Sequence, residues 1–75
     1  MNRFETLQKI MADIFGIERN RITPATLQAE VPEWDSVGHL NLMLSVEDTF
    51  GVKLSVSDMQ QLTSVPQILR YLGEV

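Results

Sequence analysis

Ser36 sits within the one stretch of this chain whose residue types could do chemistry, Glu33-Trp34-Asp35-Ser36-Val37-Gly38-His39-Leu40. A serine hydroxyl is a potential nucleophile, and His39 follows three residues later, within reach of it on a helix. That spacing would suit a Ser–His pair in a fragment of a serine hydrolase. Nucleophilic catalysis also needs an orienting acid and an oxyanion site around a pocket, which 75 residues have little means to build. No catalytic residue is therefore assigned, and His39 is expected to be a boundary or packing residue. Taken by position alone, Ser36 is an ordinary helix N-cap. Asp35 competes for the same cap, and if it wins, the serine hydroxyl is left free. Trp34 is expected to cover that helix end as a core or staple residue. One histidine and scattered carboxylates do not make a metal site. The absence of cysteine rules out disulfides and Cys-based zinc.

The elements that must position this stretch are helical. Phe4, Leu7, Ile10, Met11, Ile14 and Phe15 recur at three- and four-residue spacing, the pattern of an amphipathic helix. Asn2 is its N-cap and Gly16 its left-handed stop. Residues 17–34 read as an irregular connection of 18 residues, long for a helix–helix link. Isolated apolar anchors at Ile17, Ile22, Leu27 and Val31 should pin it to the core. A second helix begins at Asp35 or Ser36 and runs to Phe50, with Gly51 as its stop. Leu40, Met43, Val46 and Phe50 supply its inward stripe, widened by Leu42, and Val52 packs back on its last turn. Val37, Asn41, Leu44 and Asp48 share an outward stripe. Ser55-Val56-Ser57-Asp58 is a capping box opening a helix of about two turns with Met59 and Leu62. Ser64-Val65-Pro66-Gln67 is a second box, opening a last helix marked by Val65, Ile68, Leu69 and Leu72. The expected fold is an all-α, small four-helix bundle, three main helices and one short one, with a long loop between the first two. Residues 1–75 form a single domain in this reading.

The formal net charge is −4, and it is unevenly placed. Between Arg21 and Lys53 there is no Lys or Arg, whereas Glu30, Glu33, Asp35, Glu47 and Asp48 all fall there. Such a segment is either a solvated surface or a docking face for basic partners. The acidic balance argues against nucleic acid or an anionic membrane as partner. No apolar run approaches the roughly 20 residues of a spanning helix. The early acid in Met1-Asn2-Arg3-Phe4-Glu5-Thr6 argues against a signal peptide. The expectation is a cytoplasmic monomer, and Met1 close to the first helix favours a freestanding chain.

Taken together, Asp35-Ser36-Val37 at the mouth of the second helix, Glu47-Asp48 and Phe50-Gly51 at its end, and Thr63-Ser64-Val65 before a last helix with Tyr71 resemble the acyl carrier protein family. The resemblance spans nearly the whole chain. It implies that a phosphopantetheinyl transferase, using coenzyme A, attaches a 4'-phosphopantetheine arm to Ser36. The serine oxygen would attack the pyrophosphate, leaving a phosphodiester to an arm whose thiol carries an acyl or aminoacyl thioester. A helix N-terminus tolerates such a phosphate. The resemblance further implies that the second helix docks onto acyl-loading, elongating or transferring enzymes with basic surfaces. Asp35, Val37, Asn41, Leu44, Glu47 and Asp48 would make those contacts. Gly38 and Asn41 stand where fatty-acid carriers often have acids, and Val37 replaces the usual leucine. These departures look more like a dedicated carrier than the housekeeping fatty-acid one, and the resemblance implies a place in fatty-acid, polyketide or related biosynthesis. The alternative is a helical interaction module that docks through the acidic second helix and bears no prosthetic group.

Overall fold

The protein is described here by a computed structural model, which covers residues 2–73; Met1, Glu74 and Val75, and with them the reading of the extreme N-terminus, lie outside the described residues. The described chain is all-helical, in the order α1 (Arg3–Phe15), α2 (Ser36–Phe50), α3 (Val56–Gln61) and α4 (Val65–Tyr71). The helix ends fall where short-range chemistry puts them. Asn2 Oδ1 accepts the Glu5 amide at 2.8 Å and starts α1. Gly16 and Gly51 stop α1 and α2 at φ 66° and 67°, a conformation that strains residues with a Cβ. Ser55 and Asp58 form the reciprocal box that opens α3. At α4 the second box is altered. Ser64 Oγ accepts the Gln67 amide at 3.2 Å, but the Gln67 side chain reaches back to the Thr63 amide rather than to that of Ser64.

The loop of residues 17–34 is less irregular than its composition suggests, since it holds two short 3₁₀ turns, Arg19–Arg21 and Gln28–Glu30. Ile22, Val31 and Trp34 bury fully as anchors, and Ile17 is partly covered. Leu27 does not anchor the loop: it is 47% exposed. The backbone there is extended and pairs with the segment before α4, Gln28 N donating to Thr63 O and Val65 N to Thr26 O. Adjacent side chains on an extended strand point to opposite faces, so Thr26 turns inward in place of Leu27. Its hydroxyl is satisfied by accepting the Thr23 amide at 2.8 Å.

One core is shared by all these parts. Leu7, Met11 and Phe15 of α1 meet Leu42, Met43 and Val46 of α2, with Val65, Ile68 and Leu69 of α4 closing it. Each such side chain contributes about 1.5–3 kcal/mol by leaving water. The second helix departs from its expected stripe at one position. Leu40 is 52% exposed and lies outside the core, whereas Phe50 packs partly against it. Val37 and Leu44 face outward as expected. No helix among the described residues is long and apolar enough to cross a membrane.

Candidate functional site

The loop reaches α2 through Trp34, which is 2% exposed and stacks on Phe15 with ring centroids 5.8 Å apart. That contact fixes where α2 begins. Asp35 then wins the competition for the cap: its Oδ1 accepts the Gly38 amide at 2.8 Å. Its backbone carbonyl accepts the His39 amide at 2.7 Å, the first bond of the helix. Ser36 is therefore the first helical residue rather than the cap, and it is exposed. The amides of Ser36 and Val37 precede that first bond, so they carry the partial positive charge that favours an anion at a helix N-terminus.

Gly38 is where the sequence departs from the acidic pattern, and the packing explains it. A Cβ there would lie 3.0 Å from the Glu33 carbonyl oxygen and 3.0 Å from the Phe15 ring. A Cβ of any side chain, acidic or otherwise, would need these neighbours to give by a few tenths of an ångström. The glycine lets the loop end and α1 close against the first turn of α2.

His39 has no nitrogen left for Ser36. An indole N–H can only donate, so the Trp34 Nε1–H bond at 2.9 Å makes His39 Nδ1 the acceptor. The ring proton is then on Nε2, which donates to the Met59 carbonyl at 2.6 Å. With both nitrogens committed, the imidazole is a structural link between loop, α2 and α3, and the Ser–His pairing is not formed.

The acidic residues are also largely occupied. Glu33 sits in a two-pronged fork with Arg21 at 3.1 and 3.2 Å. The hydrogen bond from that guanidinium holds its carboxyl below the usual carboxylate range. Glu30 accepts the Leu27 amide, and Glu47 accepts the Leu54 amide at 2.8 Å across the turn after α2. Among the five acids of the segment, Asp48 is the one with no such bond within the described residues. Their charge persists, but four of the five also hold local structure. That dual use was not visible in the charge pattern, because the bonds made by Glu33 and Glu47 reach 12 and 7 residues along the chain.

The family model for the phosphopantetheine attachment site matches residues 5–72 of this chain. The chain belongs to the acyl carrier protein family. It is 31% identical to an acyl carrier protein of Rubrobacter xylanophilus, in an alignment that covers 99% of this chain and 95% of that relative. The site suits a phosphopantetheine group on this carrier's own geometry: an exposed serine whose hydroxyl makes no bond within the described residues, two amides at a helix start, and a neighbouring aspartate turned onto Gly38. The assigned contact residues fall into two sets. Val37, Asn41, Leu44 and Asp48 are exposed along the outward stripe, and Leu40, expected inside, joins them. Asp35 and Glu47 have the structural duties described above.

Proposed function

We propose that Ser36 is the residue to which the phosphopantetheine arm is attached, and that this carrier presents acyl or aminoacyl groups to successive enzymes. The observation that carries this reading is the division of labour at the start of α2: Asp35 caps the helix and Ser36 is left exposed beside two amides that make no bond among the described residues. The bound arm supplies a thiol for thioester chemistry, while the protein supplies orientation and recognition. The carrier itself catalyses nothing in this reading. A phosphopantetheinyl transferase loads it, and acyl-handling enzymes then engage the outward face of α2.

That face is mixed rather than acidic. Between Ser36 and Val46 there is no acid, and Val37, Leu40 and Leu44 are exposed at 70%, 52% and 51%. Asp35 before this ridge and Asp48 after it frame it with charge suited to basic partner surfaces. Gly38 is accounted for by its packing, so the missing acid at position 41 and Val37 in place of leucine are what support a dedicated carrier over the housekeeping one, within fatty-acid, polyketide or related biosynthesis. The carrier is proposed to act in the cytoplasm as a monomer.

Incubation with coenzyme A and a phosphopantetheinyl transferase tests the reading. The parent should gain the mass of one arm. Ser36→Ala should melt like the parent, because the replaced side chain is exposed, and gain nothing. Modification that persists in Ser36→Ala would refute the assignment. A parent that several transferases leave unmodified would favour the interaction module without a prosthetic group.

A further inference from the structure

His39 lies three residues after Ser36 on α2, and its Nε2–H reaches across to the Met59 carbonyl of α3 at 2.6 Å. That carbonyl receives no amide from its own helix. The Leu62 amide goes to Asp58 O, and the Thr63 amide turns back to Gln61 O at 2.9 Å. Met59 O is thus one of the carbonyls orphaned at a helix C-terminus, and a side chain from another helix caps it. The other ties of α3 are Met59, partly packed on the core, and the buried Leu54 and Leu62 on either side of the helix. It is six residues long, none of them fully buried, and Val56 at its start is 72% exposed. The opposite edge of the same imidazole accepts from Trp34, which is itself packed on Phe15. One ring therefore fixes α3 relative to α2 and to the loop that ends at the serine.

We propose that His39 is a positioning residue for docking, clasping α3 to α2 so that an enzyme acting at Ser36 meets both helices in one fixed arrangement. This rests on Ser36 being the attachment point. The two nitrogens can be tested apart. A glutamine amide can reproduce the Nε2 donor to Met59 but leaves Trp34 without its acceptor. An asparagine amide is too short to reach Met59 but can still accept from Trp34.

The experiment compares parent, His39→Gln, His39→Asn and His39→Leu in three readouts: transferase KM and kcat, amide exchange in α3, and the Trp34 indole N–H resonance. Trp34 is the chain's single tryptophan, so that signal is unambiguous. His39→Asn and His39→Leu should lose exchange protection across α3 and raise KM about fivefold, the scale of one hydrogen bond, with kcat unchanged. His39→Gln should keep both α3 protection and the parent KM, while its indole resonance shifts. If the Gln and Asn variants behave alike and KM merely follows melting temperature, the proposal is overturned. Parent-like KM in all three overturns it as well. A parent that takes no arm would instead defeat the attachment reading, and α3 exchange would still decide whether the clasp exists.

Discussion

α2 and α3 are joined through His39 and Met59, yet they are held in place by opposite means. α2 has fifteen residues and sinks Leu42, Met43 and Val46 into the core, with Asp35 and Gly51 closing its ends. α3 has six residues and buries none of them fully; Met59 packs only partly on the core, and beyond the flanking Leu54 and Leu62 its start rests on the Ser55–Asp58 box and its end on an imidazole from α2. Burial on the scale of several kcal/mol leaves α2 indifferent to changes on its outer face. A short helix held by a few bonds of about 1 kcal/mol each should open locally long before the molecule unfolds. The rigid helix carries the serine, and the weakly held one sits where a single hydrogen bond can change what a partner meets.

The largest effect expected from this contrast is in the core. Met43→Ala should cost about 2–5 kcal/mol in denaturant unfolding, whereas Leu40→Ala and Leu44→Ala should cost under about 1 kcal/mol. A large loss for Leu40→Ala would place that residue inside after all. Gly38→Ala comes next, and two terms oppose. Alanine gains up to about 1 kcal/mol as the better helix former, but overpacking against the Glu33 carbonyl and the Phe15 ring costs about 1–3 kcal/mol. Net destabilisation is expected, and a stabilised Gly38→Ala would show that the loop end yields easily.

Asp58→Ala sharpens the contrast in α3. Loss of its half of the capping box should cost about 1 kcal/mol and appear chiefly as faster amide exchange in residues 56–61, with the global unfolding midpoint little moved. Uniformly faster exchange over the whole chain would mean that α3 and the core open as one. The smallest effect concerns the exposed Arg21–Glu33 fork, which belongs to neither helix. Because the folded carboxyl sits below its usual range, the fork stabilises the fold at neutral pH and that gain fades as acidity approaches the lowered value. Comparing acid melts of the parent and Glu33→Gln should show a slightly shallower pH dependence in the variant. Identical curves would mean that the pair contributes nothing measurable, as many exposed pairs do.

The parts of this architecture that could be read in the sequence are those decided within a few residues. Asn2 with Glu5, Ser55 with Asp58, and the stops at Gly16 and Gly51 each rest on local bonds or a local backbone shape; the Asp35–Gly38 cap is as local, but the sequence left it open between Asp35 and Ser36. The stripe of α1 and the outward placement of Val37 and Leu44 follow from helical period. Leu40 misled because period says only that it neighbours Met43; whether it is covered depends on what packs above it, and it lies 52% exposed outside the core. Leu27 misled because a backbone pairing with residues near Ser64, far along the chain, decided which of two adjacent residues faces in. The link from Trp34 through His39 to Met59 spans 25 residues, and nothing in local spacing announces it. The candidate site's geometry was legible only in part: its serine and helix start are contiguous, but spacing left the cap open between Asp35 and Ser36, and the bonds that engage its acids and histidine are not local.

The central claim is that the serine freed by the Asp35 cap is the one that takes the arm. Trypsin should release residues 22–53 as one peptide, since no Lys or Arg falls between Arg21 and Lys53, and this peptide contains both Ser36 and Ser45. Fragmentation of that peptide from the loaded carrier tests the claim most directly. The arm's mass should appear on fragments that include Ser36 and be absent from C-terminal fragments that begin after it. Its presence on Ser45, or on the peptide of residues 54–70 that holds Ser55, Ser57 and Ser64, would contradict the account.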